Sequence, residues 1–198
     1  MDVIECFNKY DIILASQSPR RRALMEAAGI PFRTMVRPTP EHFHDGMPPV
    51  EVVSLLCREK ANCFPDELKK PDVVLITADT IVVHDGLIIN KPADAGHAFR
   101  MLSTLSDSTH EVYTGVCIRH RDREIVFHDH SYVTFCRLSD EEIRYYVEQY
   151  TPYDKAGAYG IQEWIGYIGI TGIRGSYHNV MGLPVHKVYK ALKELLCE

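Results

Sequence analysis

Three consecutive arginines, Arg20, Arg21 and Arg22, follow a Ser16-Gln17-Ser18-Pro19 turn and stand where cations are ordinarily disfavoured. The apolar run 12–15 before them reads as a buried strand. The run 23–28 after them reads as a helix closed by Gly29, with Ser18 as N-cap and Pro19 as its first residue. Basic side chains in a first helical turn face the positive end of the helix dipole, at a cost of about 0.3–1 kcal/mol each. An anion docked on the free N–H groups reverses that sign. Strand, serine turn and arginine-loaded helix start together point to a phosphate site. A solvated basic turn is the alternative from this segment alone. On this reading, removing Arg21 leaves or slightly raises the stability of the unliganded protein.

Other residue types add to that chemistry. Asp79 comes just past the end of the β-branched run 73–76. Ligands of open α/β sheets bind beyond the carboxyl ends of strands. A carboxylate there can hold a divalent cation or take a proton from water; capping its own turn is the structural alternative. Lys60, Lys91 and Lys155 are each ordinary, and matter only if they converge with Arg20, Arg21 and Asp79. Ser16 and Ser18 have no histidine and acid arranged around them, so capping or phosphate contact suits them better than nucleophilic attack. His42 with His44, and His128 with His130, form H-x-H pairs. The second pair shares one strand face, but no third metal ligand is spaced nearby, and surface imidazoles are the preferred reading. The glycine-rich zone 157–182 lets backbone approach a ligand or makes tight turns. Trp164 reads as packing. Neither a Walker loop nor a G-x-G-x-x-G fingerprint occurs.

The composition is that of a globular protein: 198 residues, 45% hydrophobic, 25% charged, formal net charge −5. An acidic chain argues against broad nucleic-acid or anionic-membrane binding, though not against one basic pocket. No apolar stretch has membrane-spanning length, and residues near the start carry no signal-like apolar run. Six cysteines without a C-x-x-C pair are expected to be free thiols of a reducing cytosol, packed as small hydrophobes.

These residues need elements to position them. Residues 37–49 read as a polar loop and 50–64 as a helix with Val53, Leu55, Leu56 and Phe64 on one side. Residues 65–71 read as a loop before strand 73–76. Asp85-Gly86 between apolar runs 81–84 and 87–89 is a hairpin signal. Asp94 caps a helix whose stripe is Ala98, Met101, Leu102 and Leu105. Residues 111–119 and 125–137 read as an antiparallel pair. Ser139 with Glu142 is a capping box before helix 143–150, and an amphipathic helix covers 184–196. The expected fold is mixed α/β: an elongated sheet with helices on both sides, a cleft between two lobes, and one domain over 1–198, because the lobe break falls inside continuous strands.

In order along the chain, Leu14-Ala15-Ser16-Gln17-Ser18-Pro19-Arg20-Arg21, Arg58-Glu59-Lys60-Ala61, Ala78-Asp79-Thr80-Ile81-Val82, Asn90-Lys91-Pro92, His110-Glu111-Val112-Tyr113-Thr114-Gly115, the block 154–162 and the block 175–184 resemble the Maf family of nucleoside triphosphate pyrophosphatases. The resemblance implies a fold related to the inosine triphosphatase-like folds and hydrolysis of a nucleoside triphosphate to monophosphate and diphosphate. It puts the proton acceptor on Asp79. Its subfamily-dividing positions fall on Arg20, Thr80 and Gln162, whose types look like the branch acting on dTTP and UTP rather than on 7-methyl-GTP. It implies phosphate contacts from Ser16, Arg20, Arg21, Lys60 and Lys91, and Mg²⁺ or Mn²⁺ on Asp79 and Glu41. Glu163 stands where the family commonly has glycine. The implied partner is the nucleotide, with no nucleic acid and no membrane, a cytoplasmic setting and a homodimer left open. A regulatory binding role in septum formation and a modified-purine specificity are the alternatives.

Overall fold

Pairing of two β-branched runs begins the sheet. The computed structural model describes residues 3–39, 42–44 and 46–197. Strand β1 (Asp11–Leu14) runs parallel to β2 (Arg33–Thr34) and to β3 (Val73–His84), with Ile12 opposite Val74 and Leu14 opposite Ile76. Parallel neighbours need crossovers, and helices supply them. Helix α2 (Pro19–Ala27) joins β1 to β2, and α3 (Pro49–Asn62) and α4 (Pro65–Leu68) lie between β2 and β3. Strand β4 (Leu87–Ile89) returns antiparallel on β3 through Asp85 and Gly86, both at positive φ, as the hairpin signal predicts. Strands β5 (Thr109–His120), β6 (Arg123–Phe135) and β7 (Ile170–Arg174) complete a seven-stranded mixed sheet in the order β2-β1-β3-β5-β6-β7 among the described residues, with β4 beside β3. The fold class is therefore mixed α/β, as expected.

Several local readings hold. Ser18 caps α2; Asp94 caps α5 (Ala95–Leu105), whose buried residues are Ala98, Met101, Leu102 and Leu105; and Ser139 with Glu142 forms the capping box of α6 (Asp140–Tyr150). Others change. Strand β3 does not stop at Ile76 but runs through Asp79 to His84, because residues 77–80 contain no Gly or Pro to end it. Thr77 is satisfied inside by donating to the Cys57 carbonyl at 2.6 Å. On α3 the buried face is Val52, Val53, Leu56, Cys57 and Ala61, which i, i+4 rows align, while Leu55 lies to the side and is half-buried. The expected loop 65–71 opens with the one-turn α4. The short α1 (Val3–Phe7) was not anticipated. The glycine-rich zone holds a 3-10 turn (Ala156–Ala158), α7 (Trp164–Gly169), β7 and α8 (Tyr177–Val180) before α9 (Val185–Leu196).

The chain forms two compact units. One comprises the chain up to Asp79, Thr114–Asp129 and everything from Gly182 on; the other comprises Thr80–Tyr113 and His130–Met181. Three of the four crossings between them fall inside β3, β5 and β6, and the fourth, from Met181 to Gly182, lies between α8 and α9. The first unit has a core containing Ile13, Cys57, Ala61, Phe64, Val73, Leu75 and Cys117. There β5 passes so close to α3 that a Cβ on Gly115 would lie 2.4 Å from the Val53 carbonyl oxygen. The second unit packs α5, α6 and α7 around Leu102, Leu105, Phe135, Tyr146, Tyr159 and Ile165. No described helix is long and apolar enough to cross a membrane.

The cysteines divide. Cys57 and Cys117 are buried, and burial pushes their thiols up to about 12 and about 11, so they pack as inert hydrophobes. Cys6 and Cys197 instead form a disulfide, with Cα atoms 6.0 Å apart. The all-thiol expectation, and the compartment argument built on it, does not extend to this pair. A separation of 191 residues has no spacing signature; the bond follows from α1 packing on α9, where Phe7 meets Tyr189 edge-on at 5.7 Å.

His110, 1% exposed, hydrogen-bonds Tyr159 Oη through Nε2 at 2.8 Å and stacks on Phe135, while its Nδ1 has no partner. Burial, with His84 adding to it, pushes its pKa from 6.5 down to about 3. Between those values the unfolded chain binds a proton that the folded one does not, so stability falls as pH drops below 6.5. The limiting slope from this one group is about 1.4 kcal/mol per pH unit. Denaturant unfolding from pH 7 to 4.5 should therefore show a shallower acid loss for His110→Gln than for the parent; parallel curves would mean His110 is protonated in the folded state.

Candidate active site

The turn before α2 is built by its serines. Ser18 N donates to Ser16 Oγ at 3.2 Å, and Ser18 Oγ accepts from Arg21 N at 3.4 Å. Of the three arginines, Arg22 is exposed and Arg20 half-buried. Arg21 folds back into the unit. Its Nε donates to the Gly182 carbonyl at 2.7 Å, and its Nη1 donates to the Ala78 carbonyl at 2.9 Å and to Ser16 Oγ at 3.4 Å. One guanidinium thus fastens the serine turn, β3 at Ala78, and the segment between α8 and α9 at Gly182. These bonds engage Nε and Nη1 of Arg21, which the family resemblance places among the phosphate contacts.

Next to Ala78 is Asp79, 7% exposed in mid-strand. Lys60 Nζ donates to its Oδ2 at 2.8 Å. Lys60 lies in the last turn of α3, where the negative end of the helix dipole favours a cation. Ser16, Arg21, Lys60 and Asp79 are therefore gathered in one unit, with the amides of the α2 start beside them. The set offers a carboxylate to water or a hard cation, and N–H donors to anionic oxygens.

Other expected residues are in the second unit. Thr80 follows Asp79 on β3 and is half-buried; Lys91 is exposed between β4 and α5. Gln162 is half-buried, and its Oε1 is a buried oxygen without a hydrogen-bond partner. Lys155 is 7% exposed and pairs with Asp154 at 2.8 Å and Glu163 at 3.3 Å, so it belongs to an internal network rather than to solvent. Glu41 lies outside the described residues. His130 pairs with Glu111 at 2.8 Å and stacks on Tyr113 at 4.2 Å; among the described residues no three metal-ligating side chains cluster.

Sequence reasoning missed the Ala78 and Gly182 carbonyls, since backbone acceptors carry no side-chain signal. It also left the block 175–184 unexplained. Much of that block is structural: Ser176 caps α8, and Asn179 Nδ2 donates to the Val112 carbonyl at 3.0 Å and to Ser131 Oγ at 2.9 Å. Ser131 Oγ in turn donates to the Ser176 carbonyl. The carbonyl anchoring also reverses the expectation for Arg21. Arg21→Ala strips donors from two part-buried carbonyls and should lower stability by about 1–3 kcal/mol. A melting temperature equal to or above the parent's, without ligand, would restore the dipole-repulsion reading.

The sequence model described as Maf-like protein matches residues 11–195. A dTTP/UTP pyrophosphatase of Porphyromonas gingivalis (strain ATCC 33277) is 50% identical over 194 residues, covering 97% of this chain and 98% of the relative. One from Parabacteroides distasonis is 48% identical over 193 residues, covering 96% and 99%. Among solved structures, a HAM1 protein from Coxiella burnetii aligns with 65% of this chain and 74% of its own at 14% identity and a TM-score of 0.43. Matched over nearly its whole length by the family model and by relatives of half identity, the chain belongs to the Maf family.

Proposed function

We propose that this protein hydrolyses dTTP and UTP to the nucleoside monophosphate and diphosphate. The Lys60–Asp79 pair carries the reading: a carboxylate buried in mid-strand beside an ammonium group, one residue from the carbonyl that Arg21 holds. The names of relatives half identical over nearly the full length support it.

Water attacks the α-phosphorus. Its oxygen bonds to phosphorus as the bond to the α–β bridging oxygen breaks, and diphosphate leaves with that electron pair. Asp79 takes the proton that the water loses. Ser16, Arg20, Lys60 and Lys91 contact phosphate oxygens and offset a charge of about four on the triphosphate. Arg21 joins them and also holds the turn that carries Ser16 and Arg20.

Asp79 offers oxygen donors to a divalent cation, Mg²⁺ or Mn²⁺, with Glu41 the second carboxylate that the family resemblance implies; the cation would supply charge neutralisation and a more acidic water. Arg20, Thr80 and Gln162 set the choice of base. The buried, unpartnered Gln162 Oε1 is an acceptor for the N3–H of thymine or uracil.

Chromatography of the products tests the cleavage site: dTMP or UMP with diphosphate is expected in Mg²⁺ or Mn²⁺, and orthophosphate with a nucleoside diphosphate would overturn it. Excess EDTA should abolish turnover; undiminished activity would remove the cation from the proposal. Asp79→Asn should lower kcat by at least ~10²-fold, the scale of a lost general base, with an unchanged circular dichroism spectrum. Near-parental turnover would leave Asp79 a structural partner of Lys60.

A further inference from the structure

Gln162 sits in a turn held by three side chains that come from α6, from the loop after it and from the turn itself. Tyr146 of α6, fully buried, accepts from Gly160 N at 2.9 Å and donates to Glu163 Oε2. Lys155 pairs with Glu163 Oε1 at 3.3 Å. Glu163 N donates to the Gly160 carbonyl at 3.0 Å and closes the turn 160–163. A Cβ on Gly160 would lie 2.7 Å from Glu163 Cδ and 3.0 Å from Gln162 Nε2, so carboxylate and amide are both packed over that glycine. Within this group the hydrogen-bonding atom left buried and without a partner is Gln162 Oε1.

An amide in a turn ordinarily rotates to find donors. Here the turn is tied at Gly160 by Tyr146 and at Glu163 by both Tyr146 and Lys155, and the amide's nitrogen end lies against the glycine face. Burying an unsatisfied carbonyl oxygen is unfavourable, so the arrangement is one that a ligand N–H would complete. We infer that Glu163, fixed by Tyr146 and Lys155, is a positioning residue that presents the Gln162 acceptor to a base bearing a ring N–H, and so separates uracil and thymine from cytosine. This rests on the pyrimidine nucleotide reading above. Uracil and thymine bring N3–H to the acceptor; cytosine brings a lone pair and leaves both acceptors unmet. Lys155 is neither a phosphate ligand nor a solvated lysine in this account: it holds the carboxylate that holds the turn.

Steady-state kinetics on UTP and CTP test the role in the full-length protein. Tyr146→Phe removes the hydroxyl that bridges Gly160 N and Glu163. It should lower the UTP:CTP ratio of kcat/KM by about tenfold, the worth of one misplaced hydrogen bond. The loss should appear as a raised KM for UTP, with kcat within about threefold of the parent. Glu163→Gln keeps an acceptor for Tyr146 while removing the charge opposite Lys155, so it should fall between parent and Tyr146→Phe. A network that only stabilises α6 would lower kcat and melting temperature with the two nucleotides affected alike; an unchanged ratio in Tyr146→Phe overturns the inference. Trp164, the chain's one tryptophan, adjoins Glu163 and meets Tyr145 at 4.9 Å. Its emission, titrated with UMP and CMP, reads binding apart from turnover. Parent protein that hydrolyses UTP and CTP equally defeats the base reading itself. The positioning role then stands if Tyr146→Phe alters unliganded Trp164 emission and weakens UMP relative to CMP, and falls if it does neither.

Discussion

A carboxylate in the middle of a buried strand constrains the first unit more than any other single group. Asp79 lies on β3 where its neighbours along the strand are apolar or satisfied internally, and an unpaired charge there would be strongly unfavourable. Lys60 is its ammonium partner, and the 2.8 Å bond fixes where the last turn of α3 must end. That placement requires α3 to come down tightly on β5, which is why position 115 has no side chain: any Cβ would strike the Val53 carbonyl. The apolar face of α3 then follows from geometry, with Val53, Cys57 and Ala61 in one row turned to the core and Lys60 beside it. A chemical requirement at one residue thus sets the register of a helix against a sheet.

The arginine cluster follows a different rule. Three cations at the start of a helix are unfavourable if all face its positive end. The structure relieves this by separating them: Arg22 points to water, Arg20 is half-buried, and Arg21 donates to the Ala78 and Gly182 carbonyls. Backbone oxygens, which carry partial negative charge and cannot be titrated away, offset part of the Arg21 charge. The same bonds tie the serine turn to the peptide preceding Asp79, so the start of α2 and the carboxylate are fixed relative to each other by one side chain.

Sequence patterns were most legible where local rules decide. The caps at Ser18, Asp94 and Ser139, the Asp85-Gly86 turn and the stripe on α5 each depend on residues within a few positions. The candidate site was legible as residue types, through the ordered motifs, but not as contacts. Asp79 reads as a strand end by its polarity; residues 77–80 hold no Gly or Pro, and the Thr77–Cys57 bond and the Lys60 pair satisfy polar groups where the strand continues. The Cys6–Cys197 bond and the Asn179–Ser131 knot join residues far apart in the chain through atoms that no spacing rule relates. The glycine-rich zone holds two short helices and a strand, and Gly175 there combines a φ of +123° with a backbone so close to Ser131 that a Cβ would lie 2.6 Å from its Oγ.

Each unit contains a lysine paired with a carboxylate, Lys60 half-buried and Lys155 buried, and their likeness bears on what such pairs are for. Lys60 meets Asp79, and Lys155 meets Asp154 and Glu163. Taking ammonium and carboxylate groups from water is expensive, and a buried pair often contributes no more stability than well-packed apolar side chains of the same volume. The apolar clusters around Phe64 and around Tyr146 supply the cohesion in each unit without them. What an ion pair adds is direction. A leucine can rotate or slide within a core, whereas a hydrogen-bonded carboxylate is held at an angle and a distance. In the first unit the carboxylate so held is the proposed proton acceptor; in the second it braces the turn that carries Gln162. Both pairs are better explained by the placement of reactive and recognising groups than by the stability of the fold that surrounds them.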